Sequence, residues 1–359
     1  GVSPGLTTPD AVLFQGALRD FVQAGLKSCV IEASSIGIVE GRLDGTRIRL
    51  ALFTNFTQDH LDYHGNMQAY WEAKRQLFDW PDLEAAVVSL DDPQGIELVR
   101  HLRSAHPQVR VLTYGLSASA DVRATGVRWQ PQDQIAGQWG QHLTVQHGAD
   151  QMQMQIPWVG EHNVLNLLAV IATLRALGHG FDRAISVCAH LQPVPGRMQA
   201  ISLTGAPLAV VDYAHTPDAL VKALQALRPL ADVRSGRLWC VFGCGGDRDR
   251  GKRAEMGRVA QQLSDQVLLT SDNPRSESAA TILAQMRAGL TQGSTATVVQ
   301  DRAAAIALAV QGAAPADVIL VAGKGHETTQ EVAGVFHPFS DVEQLQWALS
   351  ARMAQEVHA

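Results

Sequence analysis

Residues 237–253 read "RLWCVFGCGGDRDRGKR", an apolar run followed by a glycine-rich loop and a basic segment. The apolar run predicts a buried strand, and the glycines let backbone N–H groups approach a ligand just before a helix begins. A strand, a loop and a helix in this order are typical of a sheet with parallel strands. The loop lacks the GxGxxG spacing of a dinucleotide-binding turn, so it only weakly favours such a site.

The same alternation continues on both sides of this stretch. Further apolar runs, with helical segments between them, predict strands at 208–214, 266–272, 296–300 and 317–323. They predict an α/β domain over residues 199–359 with an open, largely parallel sheet. Two prolines and a glycine in "QPVPGRMQ" (192–199) mark its predicted boundary.

Residues 1–198 predict a first α/β domain. Asp10 is the predicted N-cap of a helix over 10–25. Between 121 and 157 the helical spacing stops, and glycines and polar turns predict antiparallel strands at a sheet edge. The remaining predicted strands are 28–33, 48–55, 85–90 and 109–114, and the remaining predicted helices are 67–80, 162–177 and 181–191.

The composition excludes several classes of protein. Of the 359 residues, 46% are hydrophobic and 18% are charged, so each domain can bury a core and the chain as a whole is not intrinsically disordered. The net charge of −6 lacks the basic surplus of a nucleic-acid binder, and no apolar run reaches the length of a membrane span. The four cysteines form no CxxC or zinc spacing, which favours reduced thiols and a cytoplasmic protein.

Polar or glycine-rich residues follow most of the predicted strands. The carboxyl ends of parallel strands share one edge of the sheet, where ligands bind, so we expect these clusters to form binding sites. In "SDNPR" (271–275), Asp272 suits an ammonium and Arg275 suits a carboxylate, as a zwitterionic amino acid requires. An Asx turn with a solvated arginine is an alternative interpretation of the same sequence. The other clusters include "EASS" (32–35) and "GKGHE" (323–327).

Another cluster, in "TNFTQDH" (54–60), follows the run that ends at residue 55. It contains Asp59 and His60, and Lys74 comes later among the aromatic side chains of a predicted helix. One reading is a solvated loop and a lysine that lays its stem on apolar side chains. The other is a site for a metal ion and a phosphate. The residues by themselves leave both readings open.

Six motifs occur in an order and spacing that resemble the Mur ligases: "TNFTQDHLDYHG", "EHNVLN", "DYAHTPDAL", "GCGGDRDRGKR", "DNPR" and "GKGHE". The resemblance covers nearly the whole chain. It implies a central ATPase domain followed by a Rossmann-like C-terminal domain with a dinucleotide fold. It also implies an ATP-dependent amide ligase of peptidoglycan synthesis that works through an acyl phosphate. The motifs are most similar to those of members that add meso-diaminopimelate to UDP-N-acetylmuramoyl-L-Ala-D-Glu.

The resemblance assigns a metal site to the first domain. It implies that Lys74 is carbamylated by carbon dioxide and holds Mg²⁺ together with His60 and Glu32. Mg²⁺ prefers oxygen anions, and a carbamate supplies one where an ammonium would repel the ion. The same three residues form the expected catalytic set, because the ion neutralises charge between ATP and the substrate carboxylate.

The resemblance also carries over three sets of binding residues. The expected contacts of the UDP-linked peptide are Thr7, Thr8, Ser34, Glu40 and Arg42. Those of ATP are Asn163, Asn166, Arg197, Asp212 and His215, with Asn166 preferred over Asn163. Those of diaminopimelate are Arg248, Asp272, Asn273, Pro274, Arg275, Gly323 and Glu327.

Some features depart from the family pattern. Ile36 stands where the family often has histidine, and Glu40 stands where a neutral glutamine can occur. The sequence contains no GxxxxGK[ST] phosphate loop and nothing that resembles the family's UDP-binding domain. We therefore expect an N-terminally truncated, inactive form of a monomeric ligase. The alternatives are a non-catalytic binder of nucleotide-sugar peptide or amino acid, and a ligase of the folylpolyglutamate-synthetase kind.

Overall fold

The computed structural model of this chain describes residues 6–131 and 139–357. Its contacts divide the chain into two compact units. The first unit holds the described residues up to Thr125 together with Thr144–Met152 and Leu165–Cys188, and the second holds the other described residues. Each unit has its own hydrophobic core, as expected of a chain long enough for two domains.

The first half of the chain alternates helices and strands. Its helices are α1 (Ala11–Gln23), α2 (Ser35–Val39), α3 (Leu61–His64), α4 (Met67–Arg75), the 3₁₀ helix Gln76–Asp79, α5 (Pro93–Ala105), α6 (Glu161–Ala176) and α7 (Phe181–Cys188). Its strands are β1 (Leu50–Phe53), β2 (Ala85–Ser89), β3 (Arg110–Gly115), β4 (Val122–Pro131), β5 (Trp139–His147) and β6 (Asp150–Ile156).

Strands β1 to β6 form one sheet in chain order. β1, β2, β3 and β4 pair in parallel, with Leu50 opposite Ala85 and Ala85 opposite Arg110. Residues 148–149 join β5 to its neighbour β6, and so short a connection allows only an antiparallel pair. The predicted antiparallel edge is therefore confirmed at β5 and β6, whereas β4 continues the parallel part of the sheet.

The core of the first unit explains why β2 lies in the middle of the parallel strands. All five residues of β2 are buried, as in a strand that is covered on both faces. On one face, Val88 packs in a cluster with Phe53, Phe78 and Leu98. This cluster fixes β1, the 3₁₀ helix and α5 around β2, and so positions the loop that follows β1.

The second unit contains a second sheet. The strands after residue 188 are β7 (Gln199–Ile201), β8 (Leu208–Asp212), β9 (Leu238–Phe242), β10 (Gln266–Leu269), β11 (Thr297–Val298), β12 (Val318–Ala322), β13 (Thr329–Val332) and β14 (Val335–Pro338). The helices are α8 (Pro217–Val233), α9 (Gly251–Leu263), α10 (Ala279–Arg287), α11 (Arg302–Gly312) and α12 (Asp341–Val357). The sheet has the order β11-β10-β9-β12-β8-β7, and β13 pairs with β14 separately.

The second sheet is buried on both faces. β8 to β12 pair in parallel, and β7 adds an antiparallel edge beside β8. Successive strand residues point to opposite faces, so Val210 and Phe242 enter one core whereas Val211 and Val241 enter the other. This arrangement confirms the continuous apolar runs as parallel strands and brings the carboxyl ends of β10, β9, β12 and β8 to one edge.

Most predicted elements are confirmed, but one strand is wrong. Residues 28–33 form no strand, and the Val30 side chain is 98% exposed. A strand requires a hydrogen-bonded neighbour, and in the described part of the chain the only sheet neighbour of β1 is β2. The cluster "EASS" therefore does not end a strand. The sequence prediction also missed β7 and the β13–β14 hairpin, whose turn residues Ala333 and Gly334 have positive φ angles of 50° and 78°.

Among the described residues, no helix combines the length and the apolar composition that crossing a membrane requires.

Candidate active site

The loop after β1 places Asp59 and His60 beside each other. His60 has a left-handed backbone, with φ at 51°, and it immediately precedes α3. Its backbone N–H donates to Asp59 Oδ1 at 2.8 Å, and its ring Nε2 lies 3.6 Å from Asp59 Oδ2. Both side chains are partly exposed, so the imidazole is held by a neighbour and still accessible to a ligand.

Helix α4 aims Lys74 at the same region. Asn66 caps the helix by accepting from the N–H of Ala69 at 2.9 Å. Lys74 follows Tyr70 by one helical turn, and its Nζ lies 5.2 Å from the centre of the Tyr70 ring. Burial lowers the pKa of Lys74, and the carboxylates of Glu32 and Asp59 oppose that shift in part.

The Lys74 amine has few interactions that favour its charged form. Within the described residues, the structure shows the Tyr70 ring as its contact and gives its Nζ no hydrogen bond or ion pair. Glu32 and Asp59 are near enough to act on its pKa, but neither forms a salt bridge with it. An amine in this setting loses its proton more readily than a solvated lysine, which makes it a better nucleophile.

Tyr70 connects these groups to a second histidine. Its ring centre lies 6.1 Å from that of His60 and 5.3 Å from that of His64. His64 Nε2 lies 2.9 Å from Ser35 Oγ, and burial, followed by the charge of His60, lowers the pKa of His64. His64 is therefore favoured as a neutral ring that positions α3 against α2.

Thr8 organises the segment that carries Glu32. Its buried hydroxyl donates to the Glu32 carbonyl at 2.8 Å and accepts from the Ser34 N–H at 2.9 Å. Arg42 Nη1 donates to the Thr8 carbonyl at 2.9 Å, and Arg42 Nε donates to Glu40 Oε2 at 2.8 Å. Four of the five predicted peptide contacts therefore lie together with Glu32.

The three hydroxyls of this predicted set differ in how available they are to a ligand. Ser34 caps α2, because its Oγ accepts from the N–H of Gly37 at 3.1 Å. Thr8 is fully buried, whereas Thr7 is exposed. The geometry thus gives Thr8 and Ser34 a structural task and leaves Thr7 free to contact a ligand.

In the second unit, Asn273 and Glu327 enclose a buried lysine. Lys324 has no exposed surface, and its Nζ donates to Asn273 Oδ1 and to Glu327 Oε2, both at 2.9 Å. Asn273 Nδ2 also donates to Glu327 Oε2 at 2.8 Å. This network joins the loops that follow β10 and β12, the two strands on either side of β9.

Asp272 and Gly323 approach closely at the same edge. A side-chain Cβ at Gly323 would lie 2.5 Å from Asp272 Oδ2, and Gly323 has a φ of 120°. Only glycine fits there without displacing the carboxylate. Asp272 Oδ1 accepts from the N–H of Asn273 at 2.6 Å, so the turn itself orients this acid.

Arg275 is held against the β13–β14 hairpin. Its backbone has a positive φ of 52°, its N–H donates to the Glu331 carbonyl at 3.1 Å, and its carbonyl accepts from the Ala333 N–H at 2.8 Å. Its Nε lies 3.2 Å from Glu331 Oε2, and its Nη1 donates to the Gly246 carbonyl at 2.8 Å. Nη2 is not used by either contact and can serve a ligand.

The cations that follow β9 differ in their surroundings, since some contact other parts of the fold and one is exposed. Arg253 is buried and donates to both oxygens of Glu277, at 2.7 and 3.0 Å. Lys252 Nζ donates to the His215 carbonyl at 2.9 Å. Arg248 is exposed. The pKa of Glu277 falls to about 2, first because of the hydrogen bond from Arg253 and then because of the N–H of Asp247.

A third cluster gathers predicted nucleotide contacts around Tyr213. The guanidinium of Arg197 lies 4.9 Å from the Tyr213 ring centre, and His215 and His326 lie 4.8 and 5.6 Å from it. Asp212 accepts from the N–H groups of Met198 and Ala214 at 2.9 and 2.8 Å. Three neighbouring rings beside a guanidinium form a surface that suits a flat base or a phosphate.

Two family profiles match the chain. One, described as the Mur ligase middle domain, matches residues 2–174, and the other, described as Mur ligase, glutamate ligase domain, matches residues 196–325. This chain belongs to the Mur ligase family. The predicted family is confirmed, and with it the enzyme class of an ATP-dependent ligase that joins an acid to an amino acid.

Relatives of this Mur ligase cover almost all of the chain. A curated protein of Acidovorax sp. (strain JS42) is 52% identical over 348 residues, which are 97% of this chain and 68% of the relative. One of Pseudomonas aeruginosa is 43% identical over 346 residues, 96% of this chain and 68% of the relative. Both are named UDP-N-acetylmuramoyl-L-alanyl-D-glutamate--2,6-diaminopimelate ligase.

Solved structures confirm the predicted α/β fold of this Mur ligase. A structure titled with the same enzyme name matches with a TM-score of 0.73 at 37% identity, covering 98% of this chain and 70% of its own. A folylpolyglutamate synthase of Mycobacterium tuberculosis matches with a TM-score of 0.61 at 21% identity, covering 87% of this chain and 69% of its own. At that identity the second likeness shows the fold alone.

The structure of this Mur ligase groups the predicted residues by unit. Glu32, His60 and Lys74 belong to the first unit with the predicted peptide contacts, and so does Asn166. Asn163 belongs to the second unit, where its Nδ2 donates to the Val159 carbonyl at 2.7 Å. Pro274 and the other predicted diaminopimelate residues also lie in the second unit.

Sequence reasoning missed Tyr70, Ser35 and Glu331. Tyr70 carried a signal, because it stands one helical turn before Lys74. Glu331 carried none, because its contact with Arg275 depends on a hairpin far along the chain.

Proposed function

We propose that this Mur ligase joins meso-diaminopimelate to UDP-N-acetylmuramoyl-L-Ala-D-Glu in peptidoglycan synthesis, with ATP cleaved to ADP and phosphate. The name of the 52%-identical relative supports the choice of substrates. The observation that carries the proposal is Lys74, a half-buried amine without a hydrogen-bonding partner among the described residues, close to Glu32 and Asp59. A structural lysine in such a place would be expected to form an ion pair.

The proposed reaction has two steps. A carboxylate oxygen of the UDP-linked peptide attacks the γ-phosphorus of ATP, and ADP leaves with the electron pair of the broken P–O bond. The amine of diaminopimelate then attacks the acyl carbon, phosphate leaves, and the amine loses a proton as the amide bond forms. Because the reaction consumes ATP, the proposal places it in the cytoplasm.

The residues around Lys74 fit the Mg²⁺ ion that the family implies. The neutral Lys74 amine can attack the carbon of carbon dioxide, forming an N–C bond and losing a proton, which leaves a carbamate anion. Carbamate and Glu32 oxygens are ligands that Mg²⁺ prefers, and His60 lies on the accessible loop beside them. When bound, the ion would neutralise the charge between phosphate and carboxylate.

Arg275 and Asp272 are proposed to recognise diaminopimelate. Asp272 suits the ammonium of one amino-acid group, and Arg275 suits the carboxylate at the far end of the side chain, where lysine has only an ammonium. Glu331 and the Gly246 carbonyl hold the guanidinium of Arg275 from two sides, so it is oriented before a ligand arrives. Arg248, Asn273, Pro274, Gly323 and Glu327 complete the proposed pocket.

The domain division belongs to the proposal as well. We assign residues 1–198 to the ATPase domain and residues 199–359 to the amino-acid-binding domain. The profile matches, which end at residue 174 and begin again at residue 196, support a boundary in "QPVPGRMQ".

Activity is best measured in a chimera that supplies the part of the Acidovorax relative which this chain does not cover. We expect ADP release that requires the UDP-linked dipeptide and meso-diaminopimelate, with no turnover of L-lysine. Arg275→Ala should raise the KM for diaminopimelate by roughly 30-fold or more, since losing one partner of a buried charged contact costs about 2–5 kcal/mol.

The matched control is Arg258→Ala, which removes an exposed arginine whose contacts are with Glu255 and Gln262 of its own helix. Its KM should equal that of the unchanged chimera. Efficient use of L-lysine by the unchanged chimera would exclude the role of Arg275. Binding of the UDP-linked dipeptide without any turnover would favour the non-catalytic reading.

A further inference from the structure

Two histidines and an aspartate meet outside the proposed active-site residues. Asp79 ends the 3₁₀ helix, His101 lies in α5, and His106 follows the last residue of α5. Asp79 Oδ1 lies 2.6 Å from His101 Nε2 and 2.9 Å from His106 Nε2. Among the described residues, this is the one group of three or more His, Cys, Asp and Glu side chains close enough to share a metal ion.

The three donor atoms are close enough to share one metal ion. They lie within 4.8 Å of one another. In a tetrahedral Zn²⁺ site the donor atoms lie roughly 3.3 Å apart, since each metal–ligand bond is about 2.0–2.2 Å long. Lengthening the two contacts of Asp79 Oδ1 by less than an ångström would therefore bring them to this spacing. Imidazole nitrogen favours Zn²⁺ and related transition metals over Mg²⁺.

Water can reach the site, and its ligand atoms already converge. The side chains of His101, His106 and Asp79 are 26%, 27% and 31% exposed, so water can reach the ion as a fourth ligand. The ring centres of the two histidines lie 5.5 Å apart, which leaves both Nε2 atoms directed at one carboxylate. A site of this kind costs little reorganisation because its ligands already converge.

Arg75 is the group that opposes an ion. Its Nη1 lies 3.2 Å from His101 Nε2 and 3.8 Å from Asp79 Oδ2. With a metal on Oδ1, the guanidinium must leave the imidazole, and it can remain near Oδ2 as an outer hydrogen-bond donor to the ligating carboxylate. Removing Arg75 should therefore strengthen metal binding, whereas a purely structural hydrogen-bond network would be weakened by the same change.

We propose that Asp79, His101 and His106 bind a divalent transition-metal ion of the Zn²⁺ type through one carboxylate oxygen and two Nε2 atoms, with water as the fourth ligand. The ion would link the 3₁₀ helix that follows α4 to the C-terminal end of α5. Lys74 and Arg75 are the last two residues of α4, so the ion would restrain the end of the helix that carries the proposed carbamylated lysine.

The test is a titration of this chain with Zn²⁺ in competition with a coloured chelator near neutral pH. All proteins carry Cys29→Ser, since Cys29 is the exposed one of the four thiols. We expect one tight equivalent, weakened at least roughly 100-fold in the double variant His101→Gln, His106→Gln and tightened in Arg75→Gln. Excess Mg²⁺ should not displace the ion.

His337→Gln, which removes an exposed histidine of β14, is the matched control and should not change the affinity. Co²⁺ supplies an independent readout, because a tetrahedral ion gives strong visible absorption that His106→Gln alone should abolish. The melting temperature with a chelator present shows whether each variant is folded. Equal Zn²⁺ affinity in the parent and the double variant, or the same Co²⁺ spectrum in both, would overturn the proposal.

Discussion

Lys74 and Lys324 are both withdrawn from water, but they differ in whether the side-chain nitrogen has a partner. Lys324 is fully buried, and its ammonium donates to Asn273 and Glu327. Lys74 is half-buried beside Tyr70, and burial lowers its pKa without an ion pair to offset the effect among the described residues. A paired ammonium holds two loops together, whereas an unpaired amine is available for chemistry.

The arginines of the second unit repeat this difference. Arg302 is buried and donates to both oxygens of Asp341 at 2.7 Å, and Arg253 does the same to Glu277. Arg275 is 24% exposed, has one close carboxylate, and keeps Nη2 outside its two described contacts. Bidentate pairing with a carboxylate thus separates the cations that support the fold from one that can serve a ligand.

The largest expected effect comes from removing the unpaired amine. In the chimera, Lys74→Ala should lower kcat by at least about 10³-fold, because the proposed carbamate that would hold the metal is lost. Short carboxylic acids such as propionate should restore part of the rate by replacing the missing carbamate. ADP release measures both effects.

Lys222→Ala is the control for Lys74→Ala, since this exposed lysine pairs with Asp218 on the surface of α8. It should leave kcat unchanged. Full activity of Lys74→Ala without any added acid would show that Lys74 is an ordinary core-lining lysine. The lack of an ion pair would then not distinguish a reactive lysine from a structural one.

The second prediction concerns stability, for which we expect Lys324 to matter more than Lys74. Lys324→Met should lower the free energy of unfolding by about 3 kcal/mol, because Glu327 and Asn273 lose their partner in a buried site. Lys74→Met should change it by less than about 1 kcal/mol, since no ion pair is lost. Urea unfolding of this chain measures both values.

A double variant sharpens the stability comparison. Lys324→Met with Glu327→Gln removes both charges, so its cost should be smaller than that of Lys324→Met alone. Equal destabilisation by Lys324→Met and Lys74→Met would mean that the Lys324 network contributes nothing beyond packing.

The smallest expected effect is a pH dependence from Glu277. Its pKa in the folded chain is about 2, below the ordinary value of 4.5, because Arg253 donates to it. A lowered folded pKa adds stability that is present above about pH 4.5 and is lost as the pH falls toward about 2. Glu277→Gln should therefore reduce the difference between the urea midpoints at about pH 7 and about pH 3.

Glu255→Gln, at an exposed position of α9, supplies the comparison for Glu277→Gln and should leave that difference unchanged. If both variants lose the same acid dependence, the pair of Arg253 and Glu277 is not its source.

Much of the fold could be predicted from local sequence. The continuous apolar runs at β8, β9 and β12 predict strands buried on both faces. Helices cover both faces of a parallel sheet, so the side chains on either face are removed from water and are mostly apolar. Asp10 and the helical spacing after it predict α1, since an N-cap acts within one turn. The family motifs are also local, so the sequence determined the enzyme class.

Tertiary structure decided which residues are strands, supports or possible ligands where local sequence is ambiguous. Residues 28–33 have a strand-like composition and form none, because pairing depends on a neighbour. Arg248 and Arg253 stand in one loop with the same charge, and only the fold places Arg253 against Glu277. Asp79 meets His101 and His106 across a helix and a strand. Propensity acts over a few residues, whereas burial and charge pairing depend on segments that are distant in the chain.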